Sequence, residues 1–406
     1  MSRITSKPEG GARILPLALL TALAHAPAGA AISDTVHPVV SVGYTHDSNL
    51  LRLPDDTPGF AGQRSDTIRQ VQAGLVLERP IGRQKLTASG RVSRVTFNHY
   101  RQLDYNGKDF AAELAWQLGN HWEGRVGTTY SQTLTPFTDF HSNELNLRTQ
   151  RRGYADANWR FHPSWRARAG FNRYKYQYDL AAQSIYNRTE DAGEVGLDYL
   201  AASGSRVGVV ARKLKGRYHT PRSASSVRSA DSWDQDELKA NVYWRLSGVT
   251  QVTLLAGWAR RTHELLPQRD ASGANGRVRV DWQPLGRLRL AAEGWREFAA
   301  VDNIFVNSSL NRGASLTGSW DISAKLQATA SLRREKRRFE GGLGSIVFRE
   351  APSDTTKGSS VGLLYAPLPS MQLNLNVFRD QRNGEPLIGS SNYRAHGVSM
   401  MLNAQF

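Results

Sequence analysis

The chain ends on the stretch VSMMLNAQF (398–406), in which apolar residues occupy every second position. Val398, Met400, Leu402, Ala404 and Phe406 form the apolar set. Because side chains alternate across a strand with a period of two, this pattern predicts a strand with one apolar and one mostly polar face. Chain ends usually fray, so a terminal strand this regular requires a partner strand that holds it.

The same alternation recurs along the chain, for example in VQAGLVLE (71–78), LKANVYWRL (238–246) and MQLNLNVF (371–378). Short connections rich in Gly, Pro, Asn and Ser, such as LGNH (118–121), alternate with long ones such as SNLLRLPDDTPGFAGQRS (48–65). The helical period is nearly absent. These observations predict an all-β chain of about 18 strands, with about 16 as the alternative.

Closure of the sheet would hold the terminal strand. A backbone that faces lipid must pair every N–H and C=O group, and strands achieve this only in a sheet without edges. We therefore expect the last strand to pair with the first, PVVSVGYTHD (38–47). The prediction is a transmembrane up-and-down antiparallel β-barrel with short periplasmic turns and long extracellular loops. A soluble exported β-protein, such as a β-propeller with blades of similar length, is the alternative.

Aromatic residues recur at a regular distance from the short turns. A ring of amphipathic aromatic side chains at one level is typical of a membrane interface, whereas ordinary core aromatics are the simpler explanation. The predicted aromatic girdle consists of Trp116, Trp159, Tyr199, Trp244, Trp282, Trp320 and Tyr365.

The N-terminus has the order of features that a secretory signal peptide requires. Basic residues precede the apolar run ILPLALLTALA (14–24), and small residues follow it. We expect residues 1–30 to be the signal peptide, with Ala28 and Ala30 at the cleavage site, and residues 31–406 to form a single barrel domain. This predicts export through the periplasm to the outer membrane of a Gram-negative cell.

The residues opposite the apolar faces are often basic, in a chain with a formal net charge of +16. Rings of arginine in a lumen would favour anions. Arginine–carboxylate ladders that brace the wall, or arginines that meet lipopolysaccharide phosphates, are the alternatives. The candidate lumen residues are Arg91, Arg125, Arg166, Arg168, Arg245, Arg277, Arg279, Arg287 and Arg289. The alternation weakens in GFNRYKYQY (170–178) and LRREKRRF (332–339), and the basic cluster 333–338 is expected at the outer rim.

The sequence carries no recognisable catalytic or metal-binding pattern. It has no cysteine, and its histidines show no metal-binding spacing, so no cofactor and no metal are expected. HDSN (46–49) could bind Ca²⁺, although a solvated loop is the simpler interpretation. A Ser/His/acid set at the barrel rim is the enzymatic alternative to a non-enzyme. Basic residues are spread evenly without a basic domain, which argues against nucleic acid as a partner.

Residues 39–120 resemble a known family. The segments VSVGYTHDSNLLRLPDD (40–56), GQRSDTIRQVQAGLVLERPIGRQKL (62–86), LDYNG (103–107) and WQLGN (116–120) are similar to EpsL-type, exosortase-associated outer-membrane proteins of exopolysaccharide operons. The resemblance implies a porin-like conduit for a polysaccharide chain, with periplasmic export proteins, lipopolysaccharide and the barrel-assembly machinery as partners. The terminal strand also resembles the signal that this machinery recognises. A general or nutrient-uptake porin is the alternative, and a structural or adhesive barrel with a closed lumen is a further one.

Overall fold

The computed structural model describes residues 35–138, 140–219, 223–224, 227–228, 232–264, 270–301, 308–340, 351–386 and 390–406. The predicted signal peptide and its cleavage residues Ala28 and Ala30 lie outside the described residues. The described secondary structure is almost entirely β, and the 3-10 helices within it are Phe60–Gly62, Arg101–Leu103 and Ala181–Tyr186. Within the described ranges, no helix has the length and apolar character needed to cross a membrane.

Eighteen strands form one sheet, which confirms the predicted number. The first nine are β1 (Val36–Asp47), β2 (Asp66–Ile81), β3 (Gln84–Phe97), β4 (Tyr105–Leu118), β5 (Trp122–Leu134), β6 (Leu147–His162), β7 (Trp165–Tyr178), β8 (Arg188–Leu200) and β9 (Arg206–Tyr218). The other nine are β12 (Trp233–Arg245), β13 (Thr250–His263), β14 (Ala271–Leu285), β15 (Leu288–Ala300), β16 (Ser308–Asp321), β17 (Leu326–Glu340), β18 (Ser353–Leu368), β19 (Met371–Asn383) and β20 (Tyr393–Gln405). Two further strands, β10 (Ser223–Ala224) and β11 (Val227–Arg228), pair with each other in the long connection between β9 and β12.

The sheet closes on itself, as the terminal stretch predicts. β20 pairs antiparallel with β19 on one side and with β1 on the other, in a register that runs from Val39 opposite Gln405 to Asp47 opposite Gly397. Each remaining strand pairs antiparallel with its two neighbours along the chain, and β9 pairs with β12 across the small β10–β11 hairpin. The result is an up-and-down barrel without an open edge, in which the backbone of every strand is paired on both sides.

The outer wall of the barrel is apolar around its middle. On β1, for example, Val40 and Val42 are exposed, whereas Ser41 between them is half-buried and donates a hydrogen bond to Asn403 of β20 (2.7 Å). Comparable exposed side chains on other strands include Val92, Val195, Leu238 and Val361. Since the fold encloses a central space, the exposed apolar set faces outward and the alternate polar set faces the lumen.

The two ends of the barrel differ in their connections. Short turns join β2 to β3, β4 to β5 and the later pairs at one end, where glycines such as Gly82 and Gly119 adopt the left-handed backbone that tight turns require. The long connections 48–65 and 135–146, as far as the structure describes them, lie at the other end. We refer to these as the short-turn end and the long-loop end. In outer-membrane barrels the short turns face the periplasm.

The two stretches with weakened alternation do not lose their phase. On β7, Asn172, Tyr174 and Tyr176 face the lumen and the exposed Arg173 and Lys175 face outward, in unbroken register with β6 and β8. The weakened alternation in 170–178 and in 332–339 therefore does not mark a bulge in either strand. Both stretches lie toward the long-loop end, where both faces are polar, so hydropathy no longer reports the strand phase. The register shifts occur instead beside short turns, as between Trp282 and Leu285.

We predict that a charge on the apolar wall destabilises the barrel and that the same charge on the lumen face does not. Val361 is 63% exposed on the outer wall, at the middle of β18. Val361→Arg should cost about 2–4 kcal/mol, because it places a cation at the middle of the lipid-facing band. The matched control Ser360→Arg points the same group into the lumen. Denaturant unfolding of protein inserted in lipid vesicles measures the two values, and equal losses would contradict the assignment of the faces.

Candidate functional site: the barrel lumen

The inner wall carries eight of the nine predicted lumen arginines. They are Arg91 on β3, Arg125 on β5, Arg166 and Arg168 on β7, Arg245 on β12, Arg277 and Arg279 on β14, and Arg289 on β15. Each alternates with an outward neighbour such as the exposed Val92 or Val126. Arg287 differs, because it lies in the short turn between Leu285 and Leu288 and not on a strand.

Most of these arginines are paired with carboxylates on the same wall. Arg125 lies 3.2 Å from Asp156, and Arg289 lies 2.8 Å from Asp321. Arg166 lies 2.8 Å from Asp198, whose side chain is fully buried near the short-turn end. Ladders of ion pairs, which the sequence left open as an alternative to an arginine ring, thus line much of the wall.

A continuous ladder runs along β14 and β15. Arg277 pairs with Glu297 (2.6 Å) and with Glu293, and Arg279 pairs with Asp281 (2.7 Å) and with Glu293 (3.5 Å). Arg279 and Asp281 lie on the same strand, whereas the pairs with Glu293 and Glu297 are direct or diagonal neighbours across β14 and β15, so their contact depends on the register. The ladder neutralises two of the predicted lumen arginines.

A second ladder, on β8, β9 and β12, involves residues that the sequence did not single out. Arg212 lies between Glu194 (3.3 Å) and Glu237 (3.1 Å), and Lys239 lies 2.8 Å from Glu237. The side chains of Lys239 and Glu237 are only 2% and 3% exposed, so this part of the lumen wall is densely packed. The alternation of LKANVYWRL placed Lys239 opposite the apolar face, but nothing in the sequence matched it to Glu237 and Arg212.

Of the eight predicted arginines on the inner wall, three make no ion pair with a described residue: Arg91, Arg168 and Arg245. Apart from these, cations and carboxylates are nearly matched along the described inner wall. The lumen is therefore a mixed-charge surface with a few free cations, and it is not the uniformly basic ring that the arginine content suggested.

The long connection between β1 and β2 folds into the mouth of the barrel. Its Leu50, Leu51 and Leu53 are buried against Val95 and Phe97, whose side chains point into the lumen from β3. Tyr100, Leu103, Ile68, Tyr105, Leu134 and Phe137 complete this apolar cluster. The run LLRL within an otherwise polar loop was the available sequence signal for this inward fold.

Polar contacts fix the same loop. The Asn49 side-chain amide donates to the carbonyl oxygens of Leu53 (2.9 Å) and Arg394 (3.0 Å), and its oxygen accepts from the Leu53 N–H (2.9 Å). The Arg52 guanidinium donates to Asp47 (2.8 Å). Burial alone would lower the pKa of Arg52, but Asp47, together with Asp380 and Tyr393, outweighs it and the pKa is raised. Asp47 and Asn49 thus have structural partners, and no group of three potential metal ligands occurs among the described residues.

A second loop, between β5 and β6, reaches across the mouth. The Arg382 guanidinium on β19 donates to the Thr138 carbonyl oxygen, although β5 and β19 lie six strands apart around the barrel. His141 of the same loop contacts the Leu51 carbonyl oxygen through Nδ1 (3.0 Å). Arg382 is held beside Asp354, which also binds Arg337. The long-loop end of the lumen is consequently narrowed by two loops that contact each other.

The predicted girdle and terminal residues lie on the outer wall. Of the seven aromatic residues, all but the half-buried Trp116 are exposed, and all lie near short turns. Trp122 and Trp165 extend this belt, since Trp122 stacks on Trp159 at 5.3 Å and Trp165 contacts Tyr199 at 5.4 Å. Exposed residues of the terminal strand on the same wall are Val398, Met400, Leu402 and Phe406, and Ala404 is half-buried there. The position of the belt at a membrane interface stays a prediction.

Comparison with known proteins gives the fold. No family model and no curated protein matches the chain. The FrpB iron transporter from Neisseria meningitidis is similar with a TM-score of 0.51 at 8% identity, over 92% of this chain and 82% of that one. The chain is also similar to OpdK from Pseudomonas aeruginosa, with a TM-score of 0.49 at 10% identity, over 92% of this chain and 99% of that one. It is similar to OccAB3 from Acinetobacter baumannii with a TM-score of 0.49 at 8% identity, over 92% of this chain and 100% of that one. At these identities the similarity shows that the chain has the fold of outer-membrane β-barrels.

We expect the inward loop to depend on Leu51, which is fully buried. Leu51→Ala should cost about 2–5 kcal/mol of local packing, because it leaves a cavity in the apolar cluster. Hydrogen exchange of amides in 48–65 should accelerate while the barrel strands stay protected. Phe60→Ala, in the same loop but 40% exposed, is the control and should leave the exchange unchanged. Unchanged exchange in Leu51→Ala would show that the loop is held without this cluster.

Proposed function

We propose that the protein is a passive channel of the Gram-negative outer membrane that admits small hydrophilic solutes. The observation that carries this proposal is a closed barrel with a polar, charge-paired inner wall and a mouth narrowed by two anchored loops. The mechanism needs no covalent step, so we assign no catalytic residue and no cofactor.

The narrowed mouth favours small solutes over long chains. An 18-stranded barrel encloses a space wide enough for water, and inward loops reduce it to a constriction. A polymer needs an unobstructed path along the whole lumen, whereas a small solute needs only a gap beside the loops. Since Arg382 and Leu51 tie the loop of Thr138 and His141 across the opening, the narrow gap is a built feature of the mouth.

The mixed charge of the inner wall determines which classes of solute the lumen favours. Facing rows of guanidinium and carboxylate groups offer partners to both ends of a polar molecule and do not create a strong field of one sign. The free cations Arg91, Arg168 and Arg245 add a modest preference for anions. Polar and weakly anionic small molecules are accordingly the proposed substrate class.

Passage of an exopolysaccharide is the second candidate. It rests on the resemblance of residues 39–120 to EpsL-type proteins and on a row of tyrosines on the lumen face of β6 and β7. Tyr174 and Tyr176 are stacked at 6.2 Å, and sugars bind flat aromatic surfaces. Arg152 and Arg188, however, cover these rings at 5.3 and 4.3 Å. Under this candidate, periplasmic export proteins would dock at the short turns, and a mutant lacking the protein would secrete less polysaccharide.

We predict discrete conductance steps when the purified protein is inserted in a planar bilayer. Replacing residues 50–53 by Gly and Ser should raise the single-channel conductance, because it releases the loop from the mouth. Replacing exposed Ala61, Gly62 and Gln63 of the same loop by Gly and Ser is the control and should leave the conductance unchanged. A barrel that conducts no ions would contradict the channel. Entry of polysaccharide as well as disaccharide into protein-containing vesicles would favour the second candidate.

The charge of the lumen should be measurable as ion selectivity. Arg168→Gln removes a lumen cation that pairs with no described carboxylate, so the reversal potential in a salt gradient should shift away from anion preference. Lys213→Gln makes the same charge change on the outer wall and is the matched control. Equal shifts in the two variants would show that Arg168 does not line the conducting path.

A further inference from the structure

The outer wall of β15–β18 carries a group of cations toward the long-loop end, which we call the cationic lattice. It consists of Arg296 on β15, Arg312 on β16, Arg334 and Lys336 on β17, and Lys357 on β18. All but the half-buried Arg296 are exposed. They share the outward phase with the exposed Leu316, Leu332 and Val361 of the same strands.

The lattice places like charges directly opposite one another. Arg312 is the register partner of Arg296 on one side and of Lys336 on the other, and Arg334 is the partner of Lys357. Side chains at such positions have Cβ atoms about 4.5–5.5 Å apart, and like charges there destabilise the sheet. An arrangement of this kind calls for anions that neutralise it.

The carboxylates whose side chains the structure describes on these strands cannot supply the neutralisation, because they point into the lumen. Glu293 and Glu297 pair with Arg277, Glu335 pairs with Arg333, and Asp354 pairs with Arg337, all on the inner face. None of the five lattice cations makes an ion pair with a residue that the structure describes. Arg296 instead donates to the Ala274 carbonyl oxygen on the neighbouring strand.

Another part of the outer wall, on β7 to β12, provides an internal contrast. There the outward Lys213 and Lys215 of β9 lie 3.4 and 3.3 Å from Asp236 and Asp234 of β12. Arg173 of β7 likewise pairs with Asp191 of β8 at 2.6 Å. Among the strand side chains that the structure describes, these three aspartates are the outward carboxylates. These three outward cations are therefore neutralised, whereas the five of the cationic lattice are left unpaired.

The height of the lattice matches a lipid headgroup region. Trp320 and Arg312 are eight residues apart on β16. That separation is about 26 Å along the strand, or about 20 Å across the membrane at the usual barrel tilt. With Trp320 in the aromatic belt at the short-turn end, Arg312 lies near the far edge of an apolar band about 25 Å tall. The lattice thus borders the outer leaflet.

We infer that the cationic lattice binds the phosphate groups of the lipopolysaccharide lipid anchor in the outer leaflet. Phosphates there carry the required negative charge, and arginine forms bidentate hydrogen bonds with them. The apolar side chains directly below, Leu316, Leu332 and Val361, would contact the acyl chains of the same molecule. This continuity of charge and apolar wall favours a lipid over a free anion. The inference rests on the proposed outer-membrane location but not on what passes through the lumen.

The test compares two pairs of substitutions at similar heights on the outer wall. The lattice variant combines Arg312→Gln with Lys336→Gln. The control variant combines Lys213→Gln with Lys215→Gln, which removes two cations that pair with aspartates. Each detergent-solubilised protein is titrated with bis-phosphorylated lipid A, with the same lipid lacking phosphates, and with inorganic phosphate. A chelator is present throughout to exclude bridging metal ions. Native mass spectrometry gives the affinity, and thermal unfolding gives the stability.

We expect the lattice variant to bind bis-phosphorylated lipid A about 25-fold more weakly, since each cation near an anionic lipid surface contributes about fivefold. The control variant should bind like the unaltered protein. Without lipid, the lattice variant should be at least as stable as the unaltered protein, because a like-charge contact has been removed. Unchanged affinity in the lattice variant, equal binding of the dephosphorylated lipid, or an equal effect of inorganic phosphate would each overturn the inference. Channel conductance of the same variants should not change, which separates this test from that of the proposed function.

Discussion

The hydrogen bonds between β1 and β20 are the constraint on which the rest of the molecule depends. A strand whose outer face contacts lipid has no water to satisfy its backbone, so an open edge would leave a row of unpaired N–H and C=O groups. Pairing from Val39 with Gln405 to Asp47 with Gly397 removes that edge. Because closure fixes the phase of the first and last strands together, it also fixes which side chains face outward on every strand between them.

Closure places the side chains of each strand alternately on an inner and an outer face, and charged side chains are paired differently on the two faces. Inside, cations and carboxylates from neighbouring strands neutralise each other, as Arg277 does with Glu293 and Glu297. Outside, near the long-loop end, carboxylates are scarce and cations such as Arg312 and Lys336 face each other across strands. Much of the excess positive charge that the composition suggested for the lumen is thus found on the outer wall.

The sequence predicted the features that follow from a two-residue alternation of apolar and polar side chains. Alternation gave the strands, their approximate number and the pairing of the terminal stretch with residues near Val39, all of which the structure confirms. The alternation was not informative where both faces are polar, as around Tyr174, because hydropathy there does not distinguish the outward side chains from the inward ones. It also could not pair Lys239 with Glu237 and Arg212, since cross-strand contacts depend on a register that one strand does not encode. Leu51 was visible only as an apolar interruption of a polar loop.

The inward loops and the outer cations are linked by the same geometry. The Arg382 side chain, which reaches the loop carbonyl of Thr138, projects inward from β19, whereas Arg379 on the same strand projects outward. A one-residue slip of that strand would send the loop anchor to the lipid face and the outward cation into the lumen. Two pairing partners, β18 and β20, hold the register of β19 through nearly its whole length. Strand pairing therefore fixes both the narrow mouth and the position of the outward cation on β19. A change of register would alter both together.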